Sequence, residues 1–148
     1  MIKSTTALLA DQIRREDNGK GLIIGVYTGD VLVSSLPASM SFAVWLELEI
    51  SGADLMPELD LEIRLKVAGE NKPDDFETRQ QVQITFRPSG ETEKRIAKKA
   101  KTVLVINGVP AQIRQGGQLD VSIRTNNGRW KSVLKKSVIL ADAQAPIH

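Results

Sequence analysis

The sequence predicts an all-β fold of two packed sheets, and three observations lead there. Leu59–Val67, written LDLEIRLKV, places Leu59, Leu61, Ile63, Leu65 and Val67 on one face and Asp60, Glu62, Arg64 and Lys66 on the other. An extended chain sorts these residues because its side chains alternate faces with a period of two, whereas a helix would scatter them. Turn-forming pairs and clusters such as Asn18-Gly19, Ser51-Gly52, Asn107-Gly108, Gly116-Gly117 and Asn127-Gly128 recur along the whole chain. Only residues 91–101 break the strand pattern. Short strands with one dry face, punctuated by turns, point to an immunoglobulin-like or C2-like β-sandwich with at most one short helix, and a closed barrel is the alternative.

The elements follow in order. Thr5–Glu16 carries Leu9 and Ile13 at helical spacing, but the turn Asp17-Asn18-Gly19-Lys20 and the β-rich run Leu22–Tyr27 after it favour a strand–turn–strand hairpin. Val31–Val33 is a short strand closed by Ser34, Ser35 and Pro37. Ser41–Ile50 is a long one, with Phe42, Val44, Leu46, Leu48 and Ile50 on one face and Ala43, Trp45, Glu47 and Glu49 on the other. After the loop at Ser51–Asp54 comes Leu59–Val67, then an exposed turn over Gly69–Asp75, then a strand in which Val82, Ile84 and Phe86 alternate with Gln81, Gln83 and Thr85.

Residues 91–101, ETEKRIAKKAK, read as a short helix. Acids fall early and lysines late, as the helix dipole favours, and Glu91 and Arg95 form an i,i+4 pair. Thr102–Ile106 returns to strand and is expected to stop at Asn107-Gly108 and Pro110. A two-residue turn at Asn127-Gly128 would pair Thr125 with Trp130, Ile123 with Ser132, Val121 with Leu134, Asp120 with Lys135 and Arg124 with Lys131. Val138–Leu140 continues that strand, and residues 141–148 read as a loose tail.

At 148 residues the chain has the size of one domain, and it buries enough of its unfolded surface to need no cross-link. It is read as a single domain over residues 1–148. It has no cysteine, which removes disulfides, thiolate metal sites and cysteine nucleophiles. The apolar run near the N-terminus, Ala7–Ala10, is too short for a signal peptide or a membrane span, so a cytoplasmic protein with no membrane partner is the expectation. Net charge is +2, but residues 1–86 carry 14 acids and 8 bases while residues 87–148 carry 4 acids and 12 bases. In a sandwich the two halves interleave, so this asymmetry need not become a surface patch.

One stretch resembles a known group. Asp11, Ile13, Arg14, Glu16, Gly19, Lys20, Ile24, Gly25, Val26, Tyr27 and Pro37 match the opening of a family of small uncharacterised bacterial and phage proteins. These begin with an acidic–basic strand, a Gly-Lys turn, an IGVY strand and a short strand ending before a proline. The likeness spans about the first 40 residues. It implies a β-sandwich and a bacterial or phage origin, and it carries no known activity or site residue.

Candidate sites are few. If Phe42–Ile50 and Leu59–Val67 pair as a hairpin, one register faces Glu47 with Glu62 and Glu49 with Asp60, a potential calcium-binding group. Another register pairs Glu47 with Lys66 and Glu49 with Arg64 and needs no ligand; the strands could also lie in different sheets. The acidic loop Glu70–Asp75 departs from the calcium-loop spacing and has Lys72 at its centre. Lys94, Arg95, Lys98, Lys99 and Lys101 form a candidate phosphate-facing surface, with Arg129, Lys131, Lys135 and Lys136 as further contributors. Aromatic residues, which single-strand binders use for stacking, make up only 4% of the chain. His148, the sole histidine, is the last residue, and no nucleophile elbow, zinc motif or phosphate loop is present. Nothing here requires a cofactor. Trp45, on the polar face of its strand beside Glu47 and Glu49, is the candidate interface residue. The preferred reading is a non-enzymatic binding module whose partner is another protein or a second copy of itself. The alternatives are a basic nucleic-acid-binding module and a calcium- or carbohydrate-binding sandwich.

Overall fold

A computed structural model describes residues 1–18, 20–69, 76–85 and 99–141. Its strands are β1 (Ile2–Arg15), β2 (Gly21–Val26), β3 (Val31–Val33), β4 (Ala38–Ser51), β5 (Glu58–Gly69), β6 (Phe76–Thr85), β7 (Lys99–Ile113), β8 (Gly117–Thr125) and β9 (Lys131–Leu140). Gly52–Asp54 forms one turn of 3-10 helix, and there is no α-helix among the described residues.

Two sheets form. One has the order β2-β1-β4-β7 and is antiparallel throughout; the other has the order β3-β9-β8-β5-β6, with β3 parallel to β9. The sheets are separate, so the fold is a sandwich and the closed barrel is ruled out. Between them lies one core: Leu9 of β1, Phe42, Val44, Leu46, Leu48 and Ile50 of β4, the odd-numbered residues Leu59 to Val67 of β5, and Leu119, Val121 and Ile123 of β8. The alternation in LDLEIRLKV has its expected consequence, with all five apolar residues buried and Glu62, Arg64 and Lys66 on the outer face.

β4 and β5 lie in different sheets, so neither hairpin register between them occurs. Glu49 instead stands opposite Lys3 and Lys101 and pairs with Lys99 at 3.3 Å. Arg64 stands opposite Arg79 and Ser122 and pairs with Glu77 at 3.4 Å. Lys99, Ala100 and Lys101 are the first residues of β7, which corrects the C-terminal end of the expected helix; residues 91–98 lie outside the described residues. A long neighbouring strand explains the change: Ala100 stands opposite the buried Ile50 of β4, so ladder pairing outweighs a short apolar stripe.

β7 also runs on through Asn107-Gly108, where a stop was expected. The pairing jumps from Val44↔Ile106 to Phe42↔Val109, so the two residues oppose one and make a β-bulge, with Gly108 at φ +68°. Asn107 uses its side chain as a piece of strand. Its Oδ1 accepts from the Ile13 N–H at 2.9 Å and its Nδ2 donates to the Ile13 carbonyl at 2.7 Å. Pro110 lies on an edge strand, where alternate N–H positions face away from the ladder and a proline is admitted.

The β8–β9 hairpin has the expected pairs Asp120↔Lys135 and Val121↔Leu134. Between Val121 and Ser122 the register shifts, and Ile123 stands opposite Lys131 rather than Ser132. Asn126 and Asn127 both adopt positive φ, +49° and +56°. That removes the expected Arg124–Lys131 repulsion and brings Trp130 beside Arg124.

Candidate functional site: an uncharged edge and an arginine-caged tryptophan

Every open sheet has edges whose unpaired N–H and C=O groups can recruit another strand, and proteins usually blunt them. Here β1 packs across the sandwich onto β9, and β7 onto β5 and β6. The edges β6 and β7 therefore close one flank together, and β2 and β3 lie at the other. β7 carries Lys99, Lys101, a bulge and Pro110; β6 carries Glu77 and Arg79; β3 has only three residues. β2, GLIIGV, has no charge and no proline.

β2 exposes apolar side chains instead. Leu22 is 45% exposed, Ile24 41% and Val26 38%, and Leu32 of β3 reaches 61% beside Ile139 at 43%. Leu22 and Ile24 stand opposite Arg14 and Gln12 of β1, which are themselves exposed. Ile23 points the other way, onto a small apolar cluster on the outer face of its sheet.

The phase of the ladder settles which main-chain groups of β2 are free. The Glu16 N–H donates to the Lys20 carbonyl at 2.8 Å, so the alternating pattern turns the groups of Leu22 and Ile24 toward β1. Independently, the N–H and C=O of Ile13, the residue opposite Ile23, both face away from β2 to Asn107. Ile23 therefore presents its N–H and C=O to the open edge.

Trp45 sits at the root of this strand. It is half-buried, packs with Ala10, Ile13, Ile23, Ala43 and Val105, and donates from Nε1 to Glu47 Oε1 at 3.2 Å. A Cβ added at Gly21 would meet the Trp45 ring at 2.7 Å, so the indole lies directly on the first residue of β2. At its other end β2 is tied by the Tyr27 N–H to the Leu9 carbonyl at 2.9 Å and by the Tyr27 hydroxyl to Asp11 Oδ1 at 2.8 Å. Burial, then this hydrogen bond, then the charge of Asp11 push the Tyr27 phenol up to about 12.

A second cluster occupies the outer face of the other sheet. The guanidinium carbons of Arg124, Arg64 and Arg79 lie 4.3, 4.4 and 5.4 Å from the Trp130 ring centroid. Glu62 binds Arg124 at 2.7 Å, and Glu77 binds both Arg64 at 3.4 Å and Arg79 at 3.2 Å. Two carboxylates balance two of the three positive charges, and the indole face attracts all three guanidinium groups, which offsets the repulsion of Arg64 and Arg79 placed directly opposite each other. An open groove of about 490 Å³ runs beside it, lined among others by Asp60, Glu62, Gln81, Gln83 and Arg124.

The sequence-derived basic and acidic candidates are described only in part. Lys99 and Lys101 lie on β7 near Glu49, while Lys94, Arg95 and Lys98 fall outside the described residues, as does the loop Glu70–Asp75. Among the described residues, no three acidic or histidine side chains converge as a metal site would need. The Trp130 cluster went unnoticed in the sequence, although Arg64 and Arg124 sit at outward positions of their strands. Among the described residues, no helix is long and apolar enough to cross a membrane. Compared with known proteins, the chain matches no family model and no curated relative, so the likeness of its opening to small bacterial and phage proteins rests on that motif alone.

Proposed function

We propose that this protein is a non-enzymatic interaction module that docks a protein strand along the open flank of its sandwich. The observation that carries the reading is β2: an edge strand with free main-chain groups, no charge and exposed Leu22, Ile24 and Val26. Main-chain bonds to such an edge supply affinity, and the alternate apolar side chains supply selectivity. Trp45 acts behind this surface by holding Gly21 and Ile23 in place.

The test uses the intact protein as bait in lysate of its source cells, beside an Ile24→Lys variant. An exposed lysine leaves the core untouched and places a charge on the edge. Partners held by the wild type and lost by Ile24→Lys support the reading. Identical captured sets with both baits overturn it.

A further inference from the structure

We infer that the strand docking on β2 is β2 of a second copy of this chain, antiparallel about a two-fold axis at Ile23. The inference rests on the proposed docking flank and names its occupant. Ile23 presents its N–H and C=O outward, so two copies related by a two-fold axis exchange both bonds at Ile23 and form a hydrogen-bonded pair. The neighbouring positions then face each other without intervening bonds, which brings their side chains closest. Leu22 meets Ile24 of the second copy, and Ile24 meets Leu22 of the second copy.

Other registers match less well. Moving the axis to Leu22 sets Ile24 opposite Lys20 of the second copy. Moving it to Ile24 sets Leu22 opposite Val26, which lies beyond the positive-φ break at Gly25 (+68°) and pairs with Ala10 of the outer-face cluster. With the axis at Ile23, Lys20 stands opposite Val26 of the second copy and no like charges meet. β2 therefore carries, within its own six residues, a complementary partner for itself. The joined sheets would make one continuous sheet of eight strands from the four in each copy.

The absence of native cysteines makes the register directly testable. Residues directly opposite in a pair of this kind have Cα atoms about 4.5 Å apart, within disulfide reach, whereas diagonal positions lie about 7–8 Å apart, beyond it. Leu22→Cys and Ile24→Cys chains are oxidised mildly, each alone and as an equal mixture. Both positions are exposed, so the fold tolerates the changes. The expected result is several-fold more covalent dimer in the mixture than in either variant alone. No dimer in the mixture, or equal dimer in all three, overturns the inference. If the mixture gives no dimer while Ile24→Lys still loses a captured partner, the docking flank stands with another occupant; if the mixture gives no dimer and Ile24→Lys captures the same set as the wild type, both readings fall.

Discussion

Tyr27 is the only tyrosine in the chain, and it joins β2 to β1 through Asp11 while its ring meets Phe42 edge-on at 5.6 Å. An absorbance titration therefore reads this phenol alone and should give a midpoint near 12 rather than the usual value of about 10. The folded pKa is the higher one, so the stabilisation from this group is complete below about pH 10 and is lost as pH rises toward 12. In Tyr27→Phe that alkaline loss should disappear from the pH–stability profile. A midpoint near 10 in the native protein would show that the Asp11 contact does not hold. Asn107 is the other residue whose side chain does structural work at a distance, since it satisfies both main-chain groups of Ile13. Asn107→Ala should lower unfolding free energy by about 1–2 kcal/mol in a urea titration, and Asn107→Asp should rescue little, because a carboxylate accepts from the N–H but repels the carbonyl. Nothing in the sequence marks this role: Asn-Gly is the commonest signature of a turn, the bulge arises only on pairing with β4, and Ile13, whose main chain the side chain satisfies, lies 94 residues away.

At the scale of elements, the two-residue period was a sound guide to which face of each strand is buried. It placed the core face of β4 and β5 correctly because burial on one side of a sheet dictates that pattern directly. Register was legible only where turn chemistry was regular. Asp120↔Lys135 follows from counting back from the Asn127 turn, but the bulge after Val121 depends on main-chain conformations that no pattern displays. The start of β7 was hidden for a different reason, since Lys99–Lys101 have good helix propensity and become strand through pairing with β4. Trp130 is placed by the same bulge, and Trp130→Ala should cost about 2 kcal/mol by releasing three guanidinium contacts and exposing the charge lattice beneath. Far less than that in a thermal melt would mean the cations are already satisfied by Glu62 and Glu77. Gly25→Ala is expected to cost more than an ordinary surface substitution, because the residue lies at φ +68° and an added Cβ would fall 2.3 Å from Asp11 Oδ2. Its melting temperature should drop, and the dependence on Asp11 should show as partial relief in Gly25→Ala/Asp11→Ala.

For the whole molecule, the sandwich closes one flank with charged, bulged or proline-bearing edges and leaves the other with an uncharged apolar strand. The composition of β2 was readable from LIIGV, but its place at an edge was not, because strand order depends on long-range pairing between segments that the sequence leaves unordered. Trp45 was readable as an aromatic on a polar face, whereas its contact with Gly21 was not, because that contact depends on β2 and β4 sharing one sheet. Six-residue strands bury little area, so pairing through β2 should be concentration-dependent. The most direct test is light scattering across a concentration series of the wild-type protein and Ile24→Lys. The account predicts a wild-type mass that climbs from 16.2 kDa toward twice that value, with Ile24→Lys remaining at 16.2 kDa throughout. A wild type fixed at 16.2 kDa, or a variant that climbs alongside it, would contradict it.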